Sequence, residues 1–356
     1  MIVRDEEPRL GDCLRSLQGV VDEIVIVDTG SVDDSVALAR SLGARVAQMP
    51  WSGSFGVARN AALDLARGRW ILYIDADERL LTTGRDAVEH LLGAADVVAF
   101  RVLLRPFVGS TPYREYRLWR SDPRIRFEGV VHEKVAPSIR AVARADGRAV
   151  RPCGLELQHV GYEGDQSHKH ARNLPLLRAQ LANEPDNVFN LWHLATILRA
   201  VGEDAQAEDA LARAVEVARG GVHGQYGAQA FAELAVLRRE RGGHVDDLVA
   251  EGRRRYPRNL RLVWIEARLE MDAGRHERAL PLLDRLLAVD LRAAVEEGTA
   301  YDERLFGSFA HESRGECLFR LGRYREAADA FAAAERREPD RMEHRLRRQL
   351  AEARAV

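Results

Sequence analysis

Three carboxylates, those of Asp75, Asp77 and Glu78, are the residues of this chain with the clearest chemical potential. They directly follow Trp70–Ile74, a short apolar run that predicts a strand buried on both faces. Carboxylates so placed repel one another and lose hydration unless a cation or several hydrogen-bond donors meet them. Oxygen ligands of this kind suit Mg²⁺ or Mn²⁺, which commonly hold substrate phosphates. The segment therefore predicts a metal–diphosphate site, with a solvated acidic strand end as the alternative.

The composition limits the classes of function that such a site could have. The chain has 356 residues, enough for two or three domains, and 53 Lys+Arg against 55 Asp+Glu. This balance provides no bulk charge for binding nucleic acid or an anionic membrane. No apolar stretch reaches the roughly 18 residues of a membrane span, and no signal peptide is visible. Since Cys13, Cys153 and Cys317 form no metal or disulfide pattern, we expect a reduced, cytoplasmic protein.

Strand and helix patterns alternate before the acidic segment and predict a parallel sheet covered by helices. The predicted strands lie at 1–3, 23–27, 44–49 and 70–74, and the helices between them at 8–17, 35–42 and 55–66. Ligands of such sheets bind beyond the carboxyl ends of the strands, where Asp28 and Asp75 fall. The first strand is shorter than the usual five or six residues, so we expect the natural start to lie upstream of Met1.

The pattern changes twice further along the chain. Strands predicted at 97–102, 113–120, 125–133 and 155–159 indicate a mixed sheet with antiparallel edges. Beyond about residue 165 helices take over, and glycines at 202, 242, 274 and 322 each separate two amphipathic helices. This spacing is tetratricopeptide-like but irregular, and such hairpins stack into a solenoid with an open binding face. We therefore predict an α/β domain at 1–165 and an all-α helical-repeat domain at 166–356.

A set of segments, in order, carries a family resemblance. They read MIVRDEE (1–7), DEIVIVDTGSVDDS (22–35), WSGSFGVARNAAL (51–63), GRWILYIDADE (68–78), RLWRSDPRIRFEGVVHE (117–133), HVGY (159–162) and KHARNLPLL (169–177). Together they resemble the family-2 glycosyltransferases with a GT-A fold, and within them a bacterial type with C-terminal tetratricopeptide-like repeats. Similar sequences occur among lipopolysaccharide-core glucosyltransferases and among transferases that sugar-modify ribosomal peptides.

The resemblance implies a donor site with a DXD motif at the acidic strand end. Arg4, Glu6 and Asp28 would line the nucleotide pocket, with Asp28 placed for the base. Asp77 would ligate the divalent ion, Mn²⁺ or Mg²⁺. Further implied roles are Asp75 at the ribose or a metal-bound water, Arg59 at the nucleotide or diphosphate, and His159 as a third metal ligand. The donor would be a nucleotide sugar, with UDP-hexose the commonest choice among similar enzymes.

The resemblance also implies a catalytic pair, His132 and Glu133. Glu133 would take the proton of an attacking hydroxyl or thiol, with His132 as a competing base or as its orienter, and the sugar would be transferred with inversion. Arg59, Arg117 or Arg120 could pair with phosphate oxygens as charge grows on the leaving diphosphate.

Several interpretations stay open at this point. Asp28 could serve as a turn cap and nothing more, Arg59 could merely pair with a carboxylate, and His159 could be structural. We interpret Lys169, with His168 and His170, as a solvated helix start or an interdomain contact. The repeats could hold a peptide or protein acceptor, or could form a homodimer. The competing function is a non-catalytic scaffold whose repeats bind a protein partner.

Overall fold

The computed structural model describes residues 1–161, 167–221, 224–291, 295 and 299–355, with His168 described by its backbone alone. Tyr162, the last residue of the HVGY segment, lies outside the described residues. The chain divides into two compact units. The first comprises Met1–Leu176 with Val295–Ala300, and the second comprises Leu177–Ala294 with Tyr301–Val356.

Two sheets organise the first unit. Its strands are β1 (Ile2–Val3), β2 (Val25–Asp28), β3 (Arg45–Gln48), β4 (Trp70–Leu72), β5 (Glu78–Leu80), β6 (Val97–Arg105), β7 (Tyr113–Arg120) and β8 (Ala149–His159). Its helices are α1 (Glu7–Leu17), α2 (Ser35–Ser41), α3 (Phe55–Leu65), α4 (Asp86–Leu92) and α5 (Ala136–Asp146), and α6 (Ser167–Asn183) begins in it. The first sheet is parallel in the order β1–β2–β3. The second is mixed, in the order β4–β7–β6–β8–β5.

The strand before the acidic segment differs from its prediction. Strand β4 pairs antiparallel with β7, Trp70 opposite Arg120, and so belongs to the mixed sheet. Its two faces do contact apolar clusters, but its residues are only half-buried. A cavity of about 220 Å³, with apolar walls that include Ile24 and Leu72, borders one edge of the strand.

A second difference concerns residues 125–133, which form no strand. The segment is a loop with a single bridge, in which Glu128 and Lys134 exchange backbone hydrogen bonds of 3.0 and 2.8 Å. Positive φ angles at Gly129 (102°) and His132 (54°) turn the backbone out of the extended region. Helix α5, which follows, was not predicted, although Pro137 in its first turn and Gly147 after its last are the usual boundary residues.

Antiparallel helix pairs form the second unit. Its described α-helices after α6 are α7 (Val188–Ala200), α8 (Asp204–Arg219), α9 (Gly224–Glu240), α10 (Asp246–Arg255), α11 (Leu260–Asp272), α12 (His276–Leu287), α13 (Ser308–Arg320), α14 (Tyr324–Arg337) and α15 (Met342–Arg354). Each predicted turn glycine lies between two of them, with φ between 70 and 83°. That left-handed conformation favours glycine, so the turn prediction is confirmed. Phe331 packs against Gly315, where an added Cβ would lie 2.7 Å from the ring.

The predicted fold class is therefore confirmed, with an α/β domain containing a mixed sheet followed by all-α helical hairpins. Of the helices in the described part of the chain, none combines the length and apolarity that crossing a membrane requires.

Candidate active site

Helix α3 is fixed against the loop at 125–133, and this contact positions the first part of the site. The Asn60 side chain exchanges two hydrogen bonds with the backbone of Phe127, at 3.0 and 2.9 Å. Gly56 allows the close approach, because an added Cβ would lie 2.4 Å from the carbonyl oxygen of Gly129. Arg59 is thereby held opposite Glu133, on the loop.

Arg59 joins two carboxylates. Its Nη1 and Nη2 donate to Asp75 at 2.7 and 3.3 Å, and its Nε donates to Glu133. The guanidinium lies 4.5 Å from the centroid of the Tyr73 ring, and the side chain is 11% exposed. A buried, two-sided ion pair of this kind holds both carboxylates in one orientation.

Asp75 is surrounded by groups that favour its charged form. Tyr73 donates its hydroxyl to Asp75 at 2.8 Å, beside the two bonds from Arg59. Burial alone would raise the pKa of Asp75, but the positive charges of Arg59 and Arg117 outweigh it and lower the pKa. Asp75 is therefore a carboxylate in a positive environment, consistent with a role beside a polar ligand.

Glu78 and Arg117 form an ion pair that holds the backbone of the turn at Asp75. Glu78 is 1% exposed, accepts two bonds from Arg117 at 2.8 and 3.2 Å, and accepts the backbone N–H of Asp75 at 2.9 Å. The register of β6 and β7 shifts so that Arg117 is an additional residue, a bulge that directs it to Glu78. Because Arg117 also donates to Glu115 at 2.9 Å, all its nitrogens are engaged with carboxylates.

The second part of the site surrounds Asp77. The pairing of β5 with β8 places Glu78 opposite His159, and the N–H of Val160 donates to the carbonyl of Asp77 at 2.8 Å. His159 Nε2 and Lys169 Nζ each lie 3.4 Å from Asp77 Oδ2. Burial raises the pKa of Asp77, but hydrogen bonding to His159 and the charge of Lys169 lower it well below its usual range.

Gly161 completes the wall around Asp77. An added Cβ at this position would lie 2.0 Å from Asp77 Oδ2, so only glycine leaves room for the carboxylate in its present orientation. The predicted solvated role of Lys169 is wrong, because its ammonium also donates to the carbonyl of Gly161 at 3.3 Å.

Asp77 and His159 are the side chains here that fit a divalent ion. Carboxylate and imidazole are accepted ligand types, and phosphate oxygens and water commonly complete the coordination in phosphate-binding sites. Within the described ranges, no three His, Cys, Asp or Glu side chains are gathered as ligands. Among the described residues, Asp77 and His159 would thus be two ligands of such an ion.

Three predicted nucleotide contacts lie around the ends of β1 and β2. Arg4 is exposed, while Glu6 is half-buried and donates its backbone N–H to Ser35 at 2.9 Å. Burial, reinforced by the charge of Asp77, raises the pKa of Glu6. Asp28 is buried, and its carboxylate accepts the N–H groups of Gly30 and Ser31 at 3.2 Å. Its turn-capping contacts are therefore present, as the open alternative supposed.

The two remaining predicted site residues are Arg120 and His132. Arg120 donates to the carbonyls of Val97 and Ala94 at 2.8 and 2.7 Å and stacks over Trp70, so it is not brought to the Asp75 cluster. His132 lies between the two bridged residues of the loop, and burial together with the charge of Lys134 lowers its pKa to about 4. It is neutral at pH 7.

Comparison with known proteins gives a family match for the first unit. The model of "Glycosyl transferase family 2" matches residues 1–134. A TPR repeat-containing protein of Synechococcus elongatus is 32% identical over 68% of this chain and 61% of its own length. The SPbeta prophage-derived glycosyltransferase SunS of Bacillus subtilis is 24% identical over 69% of this chain and 59% of its own length. The chain thus spans about 60% of these curated relatives.

Among solved structures, the helical part resembles YrrB, "a TPR protein with an unusual peptide-binding site". The identity is 19%, over 50% of this chain and 82% of that chain, with a TM-score of 0.39.

Proposed function

We propose, from the premise that the glycosyl transferase family 2 model matches residues 1–134, that the chain transfers a sugar from a nucleotide sugar to a hydroxyl or thiol acceptor. The observation that carries the proposal is the shared Arg59. One guanidinium binds Asp75, at the strand end beside Asp77, and Glu133, on the loop. Arg59 thereby holds Glu133, a carboxylate that could accept a proton, close to Asp75. Asp75 lies two residues before the proposed metal ligand, Asp77.

The donor side is assigned to Asp77 and His159, which would hold Mn²⁺ or Mg²⁺. When bound, the ion would neutralise the charge that develops on the leaving diphosphate. Asp75 would face the ribose or a metal-bound water, because its oxygens are already oriented by Arg59 and Tyr73. Uridine is proposed as the base because it is the commonest among similar enzymes.

The acceptor side is assigned to Glu133. Its carboxylate is 8% exposed and is held by Arg59, so its position is fixed before any acceptor arrives. Glu133 would take the proton from the attacking oxygen or sulfur, the new glycosidic bond would form on the face opposite the diphosphate, and the nucleotide diphosphate would leave. This single displacement inverts the anomeric centre. Arg59 is the positioning residue for this step.

A peptide or protein is the acceptor class that the second unit favours. Hairpins with glycine turns, like those of α7 with α8 and α13 with α14, stack into solenoids with an extended concave binding surface. Such a surface suits a chain molecule better than a small sugar acceptor.

A panel of nucleotide sugars tests the proposal. The purified chain is mixed with each donor, with Mn²⁺, Mg²⁺ or EDTA, and its melting temperature and the release of free nucleotide are measured. At least one donor should raise the melting temperature only when metal is present, and the Asp77→Asn variant should lose this shift. A chain that responds to no donor would refute the transferase proposal and favour the non-catalytic scaffold.

A further inference from the structure

Lysine is rare in this chain, and one of its lysines lies at the proposed metal ligand. Of the 53 basic residues only Lys134 and Lys169 are lysines, and the others are arginines. Lys169 lies in the first turn of α6 with its side chain 28% exposed. Its ammonium contacts Asp77 Oδ2 at 3.4 Å and the carbonyl of Gly161 at 3.3 Å.

The ammonium and a divalent ion would compete for one carboxylate. The oxygen that Lys169 contacts, Asp77 Oδ2, is also the one that lies 3.4 Å from His159 Nε2. An ion bound between Asp77 and His159 would therefore meet the ammonium at close range, where like charges repel strongly. Lysine is suited to such a position because its compact charge sits on a flexible stem and can move away.

We propose that Lys169 is the resident cation of Asp77 in the donor-free protein and a ligand of the donor's phosphate once the divalent ion is bound. The first half rests on the contacts above, and the second half rests on the proposed function, which brings a diphosphate to the same ion. The displaced ammonium then meets phosphate oxygens, which are the acceptors with the greatest negative charge in a nucleotide-sugar complex. Lys169 thereby adds a phosphate-binding residue to the site.

The first experiment measures Mn²⁺ binding alone, by electron paramagnetic resonance, without any nucleotide. Lys169→Met keeps much of the aliphatic stem but removes the charge, so the variant should bind Mn²⁺ about ten times more tightly than the original chain. Lys169→Arg should bind it more weakly, because a guanidinium can hold the Asp77 carboxylate with two bonds. Lys134→Met, which removes the other lysine and the same net charge, should leave Mn²⁺ affinity unchanged.

Unchanged or weaker Mn²⁺ binding by Lys169→Met would overturn the resident-cation role, as would failure of the original chain to bind Mn²⁺. Far-ultraviolet circular dichroism and melting curves establish that each variant is folded before its affinity is compared.

The second experiment measures the affinity for UDP at saturating Mn²⁺ by calorimetry. Lys169→Met should bind UDP about ten times more weakly, and equal affinity would overturn the phosphate role. If the original chain bound Mn²⁺ but neither UDP nor any nucleotide sugar, the proposed function and the phosphate role would fall together. The Mn²⁺ series would still decide whether Lys169 competes at Asp77.

Discussion

Arg59 and Glu133, 74 residues apart in the chain, form a buried ion pair whose guanidinium also binds Asp75. The pair links the turn after β4 to the loop before α5, so it contributes to the fold as well as to the proposed site. Removing one partner of a buried pair leaves an uncompensated charge, which typically costs about 3–5 kcal/mol.

Arg59→Met should therefore lower the free energy of unfolding by about 3–5 kcal/mol, because Asp75 and Glu133 would both lose their main cation. Urea titration followed by circular dichroism measures the change. Arg69→Met, at an exposed position four residues beyond the end of α3, is the control and should change stability by less than about 0.5 kcal/mol. Equal stability of the two variants would show that Arg59 does not hold these carboxylates.

Gly161 and Gly154 offer a matched test of the space around Asp77. An added Cβ would collide with Asp77 at Gly161 but would meet nothing within 4 Å at Gly154. Gly161→Ala should therefore displace the carboxylate and weaken Mn²⁺ binding by at least about tenfold, whereas Gly154→Ala should bind Mn²⁺ like the original chain. Calorimetric titration with Mn²⁺ distinguishes the two. If Gly161→Ala kept full affinity, the ion would not depend on Asp77 in this orientation.

His132 predicts a pH dependence of stability. Burial, with the charge of Lys134, lowers its pKa to about 4 in the folded chain, against about 6.5 for an unperturbed histidine. A lowered folded-state pKa means that the unfolded chain binds the proton first as the pH falls. The stabilisation from neutral His132 is therefore complete above pH 6.5 and is lost as the pH falls from about 6.5 to 4. It can reach about 3 kcal/mol.

Urea unfolding at pH 7, 6, 5 and 4 measures this loss. Between pH 6.5 and 4, His132→Gln should lose less stability than the original chain, because the contribution of neutral His132 is absent from the variant. His90→Gln, at an exposed position on α4, should behave like the original chain. Parallel curves for His132→Gln and the original chain would contradict the assigned environment of His132.

The elements and the strand-end positions were within reach of the sequence because they follow local patterns. Apolar runs located the strands of the first unit except β5, and glycines marked the helix turns. Asp75 and Asp77 come after the apolar run at 70–74, and His159 ends β8. The close placement of Asp77 and His159 follows from the pairing of β5 with β8. Their roles as ligands remain predictions.

The partners of the charged residues were out of reach, because they depend on register and not on composition. Arg117 contacts Glu78 because of a β-bulge that the residue pattern does not predict. Arg120 donates to the carbonyls of residues 94 and 97 and not to a carboxylate. Lys169 was missed because it acts on Asp77 through a tertiary contact, whereas Tyr73 was missed although it lies only two residues before Asp75. The apolar alternation of 125–133 suggested a strand, but left-handed residues in it form a loop instead.

The most direct test of the account is the turnover of the Glu133→Gln variant with the donor that the nucleotide-sugar panel identifies. The substituted side chain would keep its size and a hydrogen bond from Arg59 but could not take the proton of the attacking group. The account predicts that Mn²⁺-dependent donor binding is retained while the rate of nucleotide release falls by about 10²–10⁴. Glu128→Gln, at an exposed glutamate on the same loop, should turn over like the original chain. Equal turnover by Glu133→Gln and Glu128→Gln would contradict the account.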